Sequence, residues 1–209
     1  MGFNMNDELK KYDIILASGS PRRKELLGNF LKGYNKDFKV VVSNVDENKL
    51  KKTISLPDQL VMSLSNKKAN SVYKKINKNY KNMIVIAADT IVYYNDHILG
   101  KPKDADDAIN MLHEIQDDVN SVYTGMTVLV KKDDKTIKNT TFTKTDVYIK
   151  QMSQKDIEEY ISTKEPLDKA GSYAIQGIGK KYIDKFVGNY NSVVGLDTDK
   201  LKEKLDDIL

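Results

Sequence analysis

The stretch from Met83 to Tyr94 (MIVIAADTIVYY), interrupted only by Asp89 and Thr90, constrains the fold more than any other part of the chain. A run this apolar, with so many β-branched residues, reads as a strand covered on both faces, the hallmark of a central strand in an α/β sheet. Asn95-Asp96 then predicts a hairpin turn returning through His97-Ile98-Leu99. Upstream, Asp13 to Ala17 (DIILA) is a second buried strand, and it stops at Ser18-Gly19-Ser20-Pro21. Helical periodicity follows, with Leu26, Leu27, Phe30 and Leu31 on one side.

The remaining elements follow the same grammar. Lys39 to Ser43 reads as a strand, and Pro57 opens a long helix carrying Leu60, Val61, Leu64, Ala69 and Val72 to near Asn79. Asp104 begins a helix with Ala108, Ile109, Met111, Leu112 and Ile115 inward. Val119–Lys132 and Thr136–Lys150 alternate as two long strands joined at Asp133-Asp134. Ser153 caps a helix through Tyr160, Gly171 to Gly195 has no clear pattern, and a last helix runs from Asp197 to Leu209. Early alternation of strand and helix followed by long antiparallel strands predicts an α/β fold with a mixed sheet.

Bulk properties narrow the function classes. At 209 residues and 40% hydrophobic, the chain can bury one sizeable core, and either a single large domain over residues 1–209 or two lobes sharing a cleft would fit. The net charge of +4 is spread along the chain and not gathered in one arm, which favours anionic ligands modestly; nucleic-acid binding would need the basic residues concentrated on one face. The absence of cysteine excludes disulfides, thiolate catalysis and Cys-ligated metals. No apolar stretch approaches a membrane span of ~20 residues. The N-terminal MGFNMNDELKKYD does not read as a signal peptide, and Met1-Gly2 with Asn6 misses a myristoylation motif, so the expected setting is cytoplasmic.

The junction A-S-G-S-P-R-R-K-E-L-L carries the clearest chemistry. Ser20 is a good N-cap and Pro21 suits the first helical position. Arg22, Arg23 and Lys24 do not suit a helix start, where each cation is disfavoured by some tenths of a kcal/mol. They make sense if an anion docks there, on backbone amides, the Ser18 and Ser20 hydroxyls and a guanidinium. The plain alternative is a solvated basic turn. The position after a buried strand favours the anion site, although no P-loop is present.

Asp89, at the end of the apolar run, is costly to bury unless it is paired, hydrogen-bonded or bound to metal. With Gly100-Lys101-Pro102 shortly after, it is the candidate for a metal ligand and a general base, an unpaired acid facing phosphates, the plain alternative being a structural acid that accepts backbone amides. Asp46-Glu47 offers further carboxylates, equally readable as a solvated turn. Two histidines, His97 and His113, support neither a catalytic triad nor a His-rich metal site, which leaves oxygen ligands and a hard cation such as Mg²⁺ or Mn²⁺. In Glu165–Gly177, Gln176 suits the hydrogen-bonding edge of a base, with a structural loop as the even alternative. Tyr123-Thr124-Gly125 reads equally as a strand bulge.

Taken in order, these segments resemble the Maf family of nucleoside triphosphate pyrophosphatases. The matching motifs are S-G-S-P-R-R-K-E-L-L (Ser18–Leu27), D-E (Asp46–Glu47), K-A (Lys68–Ala69), A-A-D-T-I-V (Ala87–Val92), G-K-P with D-A-I-N-M-L (Gly100–Leu112), V-Y-T-G (Val122–Gly125), E-P-L-D-K-A-G-S-Y-A-I-Q-G (Glu165–Gly177) and V-V-G-L (Val193–Leu196). The resemblance implies an elongated two-lobed α/β fold with a central cleft, similar to the inosine triphosphate pyrophosphatases. It implies cleavage of a nucleoside triphosphate between the α- and β-phosphates with a divalent cation, and in the D-K-A-G-S-Y-A-I-Q-G form the branch acting on dTTP and UTP.

On that pattern Asp89 is the catalytic acid/base; the metal-ligand candidates read from the residues are Asp89 and Glu47. Ser18, Arg22, Arg23, Lys68 and Lys101 fall on phosphate-holding positions, and Arg23, Thr90 and Gln176 on or beside positions tied to substrate choice. The implied partner is the nucleoside triphosphate, with a homodimer left open and neither nucleic acid nor membrane expected. A nucleotide-binding regulator of cell division with little turnover is the alternative. One departure is Asn120, which stands where the family commonly has His.

Overall fold

The computed structural model describes residues 4–209, so the Met1-Gly2 reading lies outside the described residues. In chain order the elements are α1 (Met5–Leu9), β1 (Asp13–Leu16), α2 (Pro21–Lys32), β2 (Lys39–Val40), α3 (Asn48–Thr53), α4 (Pro57–Ile76), β3 (Asn82–Tyr94), β4 (His97–Leu99), α5 (Ala105–Ile115), β5 (Val119–Lys132), β6 (Lys135–Ile149), α6 (Gln154–Ser162), β7 (Ile183–Val187), α7 (Tyr190–Val194) and α8 (Thr198–Ile208). The strands form one mixed sheet of order β2-β1-β3-β5-β6-β7, with β4 pairing β3. β1 runs parallel to β3 and to β2, while β4 on β3 and β7 on β6 are antiparallel. This is the predicted mixed α/β class.

The chain divides into two compact units. The first holds the described residues up to Asp89 together with Thr124–Phe142 and Gly195–Leu209, and the second holds Thr90–Tyr123 and Thr143–Val194.

In the first unit the strand period of two sorts side chains to opposite faces. Ile14, Leu16, Ile84, Ile86 and Ala88 belong to one core cluster with Leu27 and Leu31 of α2 and Leu201 and Leu205 of α8. Ile15, Ala17, Met83, Val85 and Ala87 belong to another with Ala69, Val72 and Ile76 of α4. Both faces of β3 are therefore covered, which is why its sequence shows no polar alternation. Leu27 and Leu31 are fully buried, each contributing about 1.5–3 kcal/mol of apolar burial. Asp89 continues the odd-numbered series, and so falls on the face that α4 covers.

α4 sits directly against the β5 backbone. A Cβ on Gly125 would lie 2.2 Å from the carbonyl oxygen of Val61, and Ser65 Oγ is 3.0 Å from Thr127 Oγ1 in a buried pair. The glycine of V-Y-T-G is thus needed for close approach between helix and strand, which decides between that role and a bulge.

The second unit packs α5 and α6 around Val92, Tyr94, Leu99, Val122, Val147, Ile149, Tyr173 and Tyr182. Asn95 and Asp96 both adopt positive φ (44° and 62°), as a tight hairpin turn requires. Ser153 and Asp156 form a reciprocal capping box on α6.

Three readings need correction. The strand expected over Lys39–Ser43 is only Lys39–Val40 and is exposed, because β2 pairs with β1 through two residues alone. α3 was not expected, and no residue of it is buried. The unpatterned region after Gly171 contains β7, whose residues are mostly exposed and so carry no alternation.

Candidate active site

Parallel pairing puts Leu16 beside Ile86, and the amide of Ala17 donates to the carbonyl of Ile86 at 2.8 Å. β1 therefore ends level with Ile86, while β3 runs on through Asp89 to Tyr94, and Arg23 at the start of α2 stands within electrostatic reach of Asp89. The Ser20 hydroxyl accepts from the Arg23 amide at 3.5 Å, and Ser18 Oγ accepts from the Ser20 amide at 3.3 Å. Local grammar builds this turn as predicted, and the first turn of α2 contains no acidic residue.

Arg23 reaches back along the turn. Its Nε donates to the Gly195 carbonyl at 2.8 Å and its Nη1 to Ser18 Oγ at 3.3 Å. Gly195, at φ 133°, is the glycine of V-V-G-L, so two distant motifs meet through one guanidinium. Burial pushes the Arg23 guanidinium below its usual range; Asp89 opposes this, Arg22 adds to it and Glu47 again opposes it. Arg22, Arg23, Asp89 and Glu47 are therefore within electrostatic reach of one another. A buried cation depressed by another cation is better accommodated with an anion at hand.

The expectation of an unpaired Asp89 is wrong. Asp89, 7% exposed, accepts a hydrogen bond from Lys68 Nζ on α4, and the same ammonium lies 2.7 Å from Glu47 Oε1. Glu47 in turn meets Lys51 Nζ at 2.6 Å. Burial disfavours the Glu47 charge, but hydrogen bonds from Lys51 and Lys68 outweigh it and hold the carboxyl down to about 2. Glu47 is not a solvated turn residue. Asp46 is: its carboxylate accepts the Asn48 amide at 3.0 Å and stays exposed.

Among the described residues, no group of three or more His, Cys, Asp and Glu could hold a metal ion. Asp89 and Glu47 nonetheless converge on one cation, the Lys68 ammonium. Two carboxylates are a sufficient protein contribution for Mg²⁺, which completes its shell with water and substrate phosphates. The residues present fit a divalent ion on those terms.

The second unit holds Thr90, Lys101 and Gln176. Lys101 is exposed and follows Gly100, whose carbonyl accepts from the Gly171 amide at 3.0 Å, joining G-K-P to the Glu165–Gly177 loop. Gly171 has φ 68°, and a Cβ there would crowd the Val92 side chain at 3.1 Å. Gln176 is half-buried and extended, and Thr90 is half-buried at the first position of the unit.

Asn120, 1% exposed, faces inward: its Nδ2 donates to the Val147 carbonyl at 3.2 Å and its Oδ1 accepts from the Tyr173 hydroxyl at 2.7 Å. The residue that departs from the family pattern is thus a structural anchor for the same loop. His97 pairs with Glu114 and His113 with Gln154, each at 3.0 Å. Sequence reading missed Lys51 and the use of Glu165, whose carboxylate accepts the Gly179 amide at 2.8 Å. The i, i+4 spacing of Glu47 and Lys51 was the one available signal.

Comparison with known proteins identifies the family. The family model described as Maf-like protein matches residues 13–208. The chain belongs to the Maf-like family.

Relatives of this Maf-like chain include the dTTP/UTP pyrophosphatase of Thermoanaerobacter pseudethanolicus, 47% identical over 188 residues that cover 90% of this chain and 92% of the relative. Those of Bacillus cytotoxicus (44%, covering 94% and 95%) and Caldicellulosiruptor bescii (43%, covering 88% of each) bear the same name. Among solved structures, a nucleoside-triphosphatase (dITP/XTP pyrophosphatase) of Mycobacterium abscessus matches at 13% identity and a TM-score of 0.43, covering 92% of this chain and 90% of its own. That level of likeness says nothing about the chemistry.

Proposed function

We propose that this Maf-like chain is a nucleoside triphosphate pyrophosphatase that hydrolyses dTTP and UTP to the monophosphate and pyrophosphate. The observation that carries the reading is the convergence of Arg22, Arg23, Lys68, Asp89 and Glu47 where β1 ends against the middle of β3. The relatives' shared name supports the substrate class, and none of the three is named a regulator.

In this reading the α2 start and Lys68 hold the phosphate chain, with Ser18 and Arg22 at its oxygens and Lys101 contributing a further cation. Asp89 takes a proton from water as that water attacks the α-phosphorus. The bond to the bridging oxygen breaks, and pyrophosphate leaves with the electron pair. Cations already in place stabilise the charge that develops on the leaving oxygens. A divalent ion, Mg²⁺ or Mn²⁺, would be held by Asp89 and Glu47 and would neutralise phosphate charge when bound. Gln176 reads the base edge through its amide, and Thr90 bears on substrate choice. A cytoplasmic setting accords with the cysteine-free sequence, and among the described residues no helix is long and apolar enough to cross a membrane.

A panel of canonical nucleoside triphosphates with Mg²⁺ or Mn²⁺, assayed for pyrophosphate, tests the assignment. Release of pyrophosphate from dTTP and UTP ahead of the purine nucleotides is expected. Release of orthophosphate instead, or no turnover of any triphosphate, overturns it.

A further inference from the structure

The segment that carries Gln176 is built of short 3-10 turns (Glu165–Asp168, Ala170–Ser172 and Gly177–Tyr182), and its backbone is gripped at several points by two side chains, Glu165 at its start and Tyr160 of α6. Glu165 Oε1 accepts the Ile178 amide at 3.2 Å and Oε2 accepts the Gly179 amide at 2.8 Å. The Tyr160 hydroxyl, on a ring 1% exposed, accepts the Ala174 amide at 3.1 Å. Burial, then its hydrogen bond to Glu165, pushes that hydroxyl well above the usual tyrosine range, so Tyr160 stays a neutral donor to the carboxylate.

The glycines of the loop are shaped around this pair. Gly177 has φ 72°, and a Cβ there would fall 2.1 Å from Glu165 Oε1; a Cβ on Gly179 would fall 2.3 Å from the Tyr160 hydroxyl oxygen. Gln176 lies between the two gripped points, Ala174 before it and Ile178-Gly179 after it. A carboxylate accepting two amides makes charge-assisted bonds, about twice as strong as neutral ones.

We propose that Glu165 is a positioning residue for substrate choice: by holding the Ile178 and Gly179 amides, with Tyr160 holding Ala174, it aims the Gln176 side chain at the nucleobase. The proposal rests on the reading of Gln176 as the base-facing group. Glu165 itself touches no substrate; it sets the direction of a residue that does. Replacing it with Gln puts an amide donor against one of two backbone donors, so the turn loses a contact without losing side-chain volume.

The test is a double-variant cycle on the full chain with Mg²⁺, measuring kcat and KM for dTTP and dGTP in the parent, Glu165→Gln, Gln176→Ala and the double variant. Hydrogen exchange at Ile178 and Gly179 is followed in parallel. Glu165→Gln is expected to raise KM for dTTP about tenfold, to leave kcat within about twofold and to quicken exchange at both amides. The KM effect should vanish when Gln176 is already Ala.

Additive effects in the cycle, or an unchanged KM in Glu165→Gln, overturn the role of Glu165. A parent without preference for dTTP, or a preference untouched by Gln176→Ala, overturns the underlying base reading instead. Should Glu165→Gln fail to fold, Tyr160→Phe removes the neighbouring grip while keeping the ring, and must move KM in the same direction for the proposal to stand.

Discussion

The ammonium of Lys68 is hydrogen-bonded to the carboxylate of Asp89, and both side chains are largely withdrawn from water, at 12% and 9% exposure. Two opposite charges buried together depend on one another, since removing one leaves the other unpaired in a medium that solvates it poorly.

Lys68→Met should therefore destabilise the protein by about 2–4 kcal/mol at neutral pH. Urea unfolding of parent and variant at pH 7 measures this. A loss below about 0.5 kcal/mol would mean that the Lys68–Asp89 pair adds little to stability.

Glu47 predicts an acid transition. Its carboxyl is held at about 2 in the folded chain, below the ordinary value of 4.5, so it stabilises the fold fully above about pH 4.5. That contribution declines as pH falls towards 2. Glu47→Gln should flatten the stability profile over this window and leave the profile above it parallel to the parent. Parallel curves throughout the acid range would contradict the pairing with Lys51 and Lys68.

Gly125→Ala should cost about 2–3 kcal/mol, because the added methyl meets the Val61 carbonyl and α4 has to lift. Gly100→Ala is the control: nothing lies within 4 Å of its Cβ site, and a change within about 0.5 kcal/mol is expected. Thermal unfolding of the two variants side by side decides the matter. Similar losses would show that backbone freedom, and not contact, governs both sites.

Tyr173→Phe removes the hydroxyl that serves the buried Asn120 Oδ1, at an expected cost of about 1–3 kcal/mol. Because the loss falls in the Gln176 loop, dTTP selectivity should weaken alongside stability. Steady-state comparison of dTTP with dGTP checks it; unaltered selectivity with reduced stability would confine Asn120 to a packing role.

The parts of this molecule that were legible beforehand are those written in adjacent residues. Ser20-Pro21 announces α2, Asn95-Asp96 announces a turn, and β3 announces itself by an apolar run that both core clusters explain. β7 and α3 were illegible because neither buries an apolar face, so no periodicity was imposed on them. The candidate site was legible as a set of charges but not as a circuit. Lys68 and Asp89 are 21 residues apart and meet only because α4 lies across the odd-numbered face of β3. Glu165 was invisible for another reason: its acceptors serve backbone amides, and every residue type but proline supplies one.

The empty side-chain position at Gly125 bears on this circuit as well. Val61 and Lys68 are seven residues apart on α4, and so share a helical face. The carbonyl resting against Gly125 acts as a mechanical datum from which the reach of Lys68 is measured, two turns further along. A methyl group at that seat would tilt a lever whose far end carries the charge opposite Asp89. Tolerances at the Lys68–Asp89 pair are in this way machined into a different strand, β5.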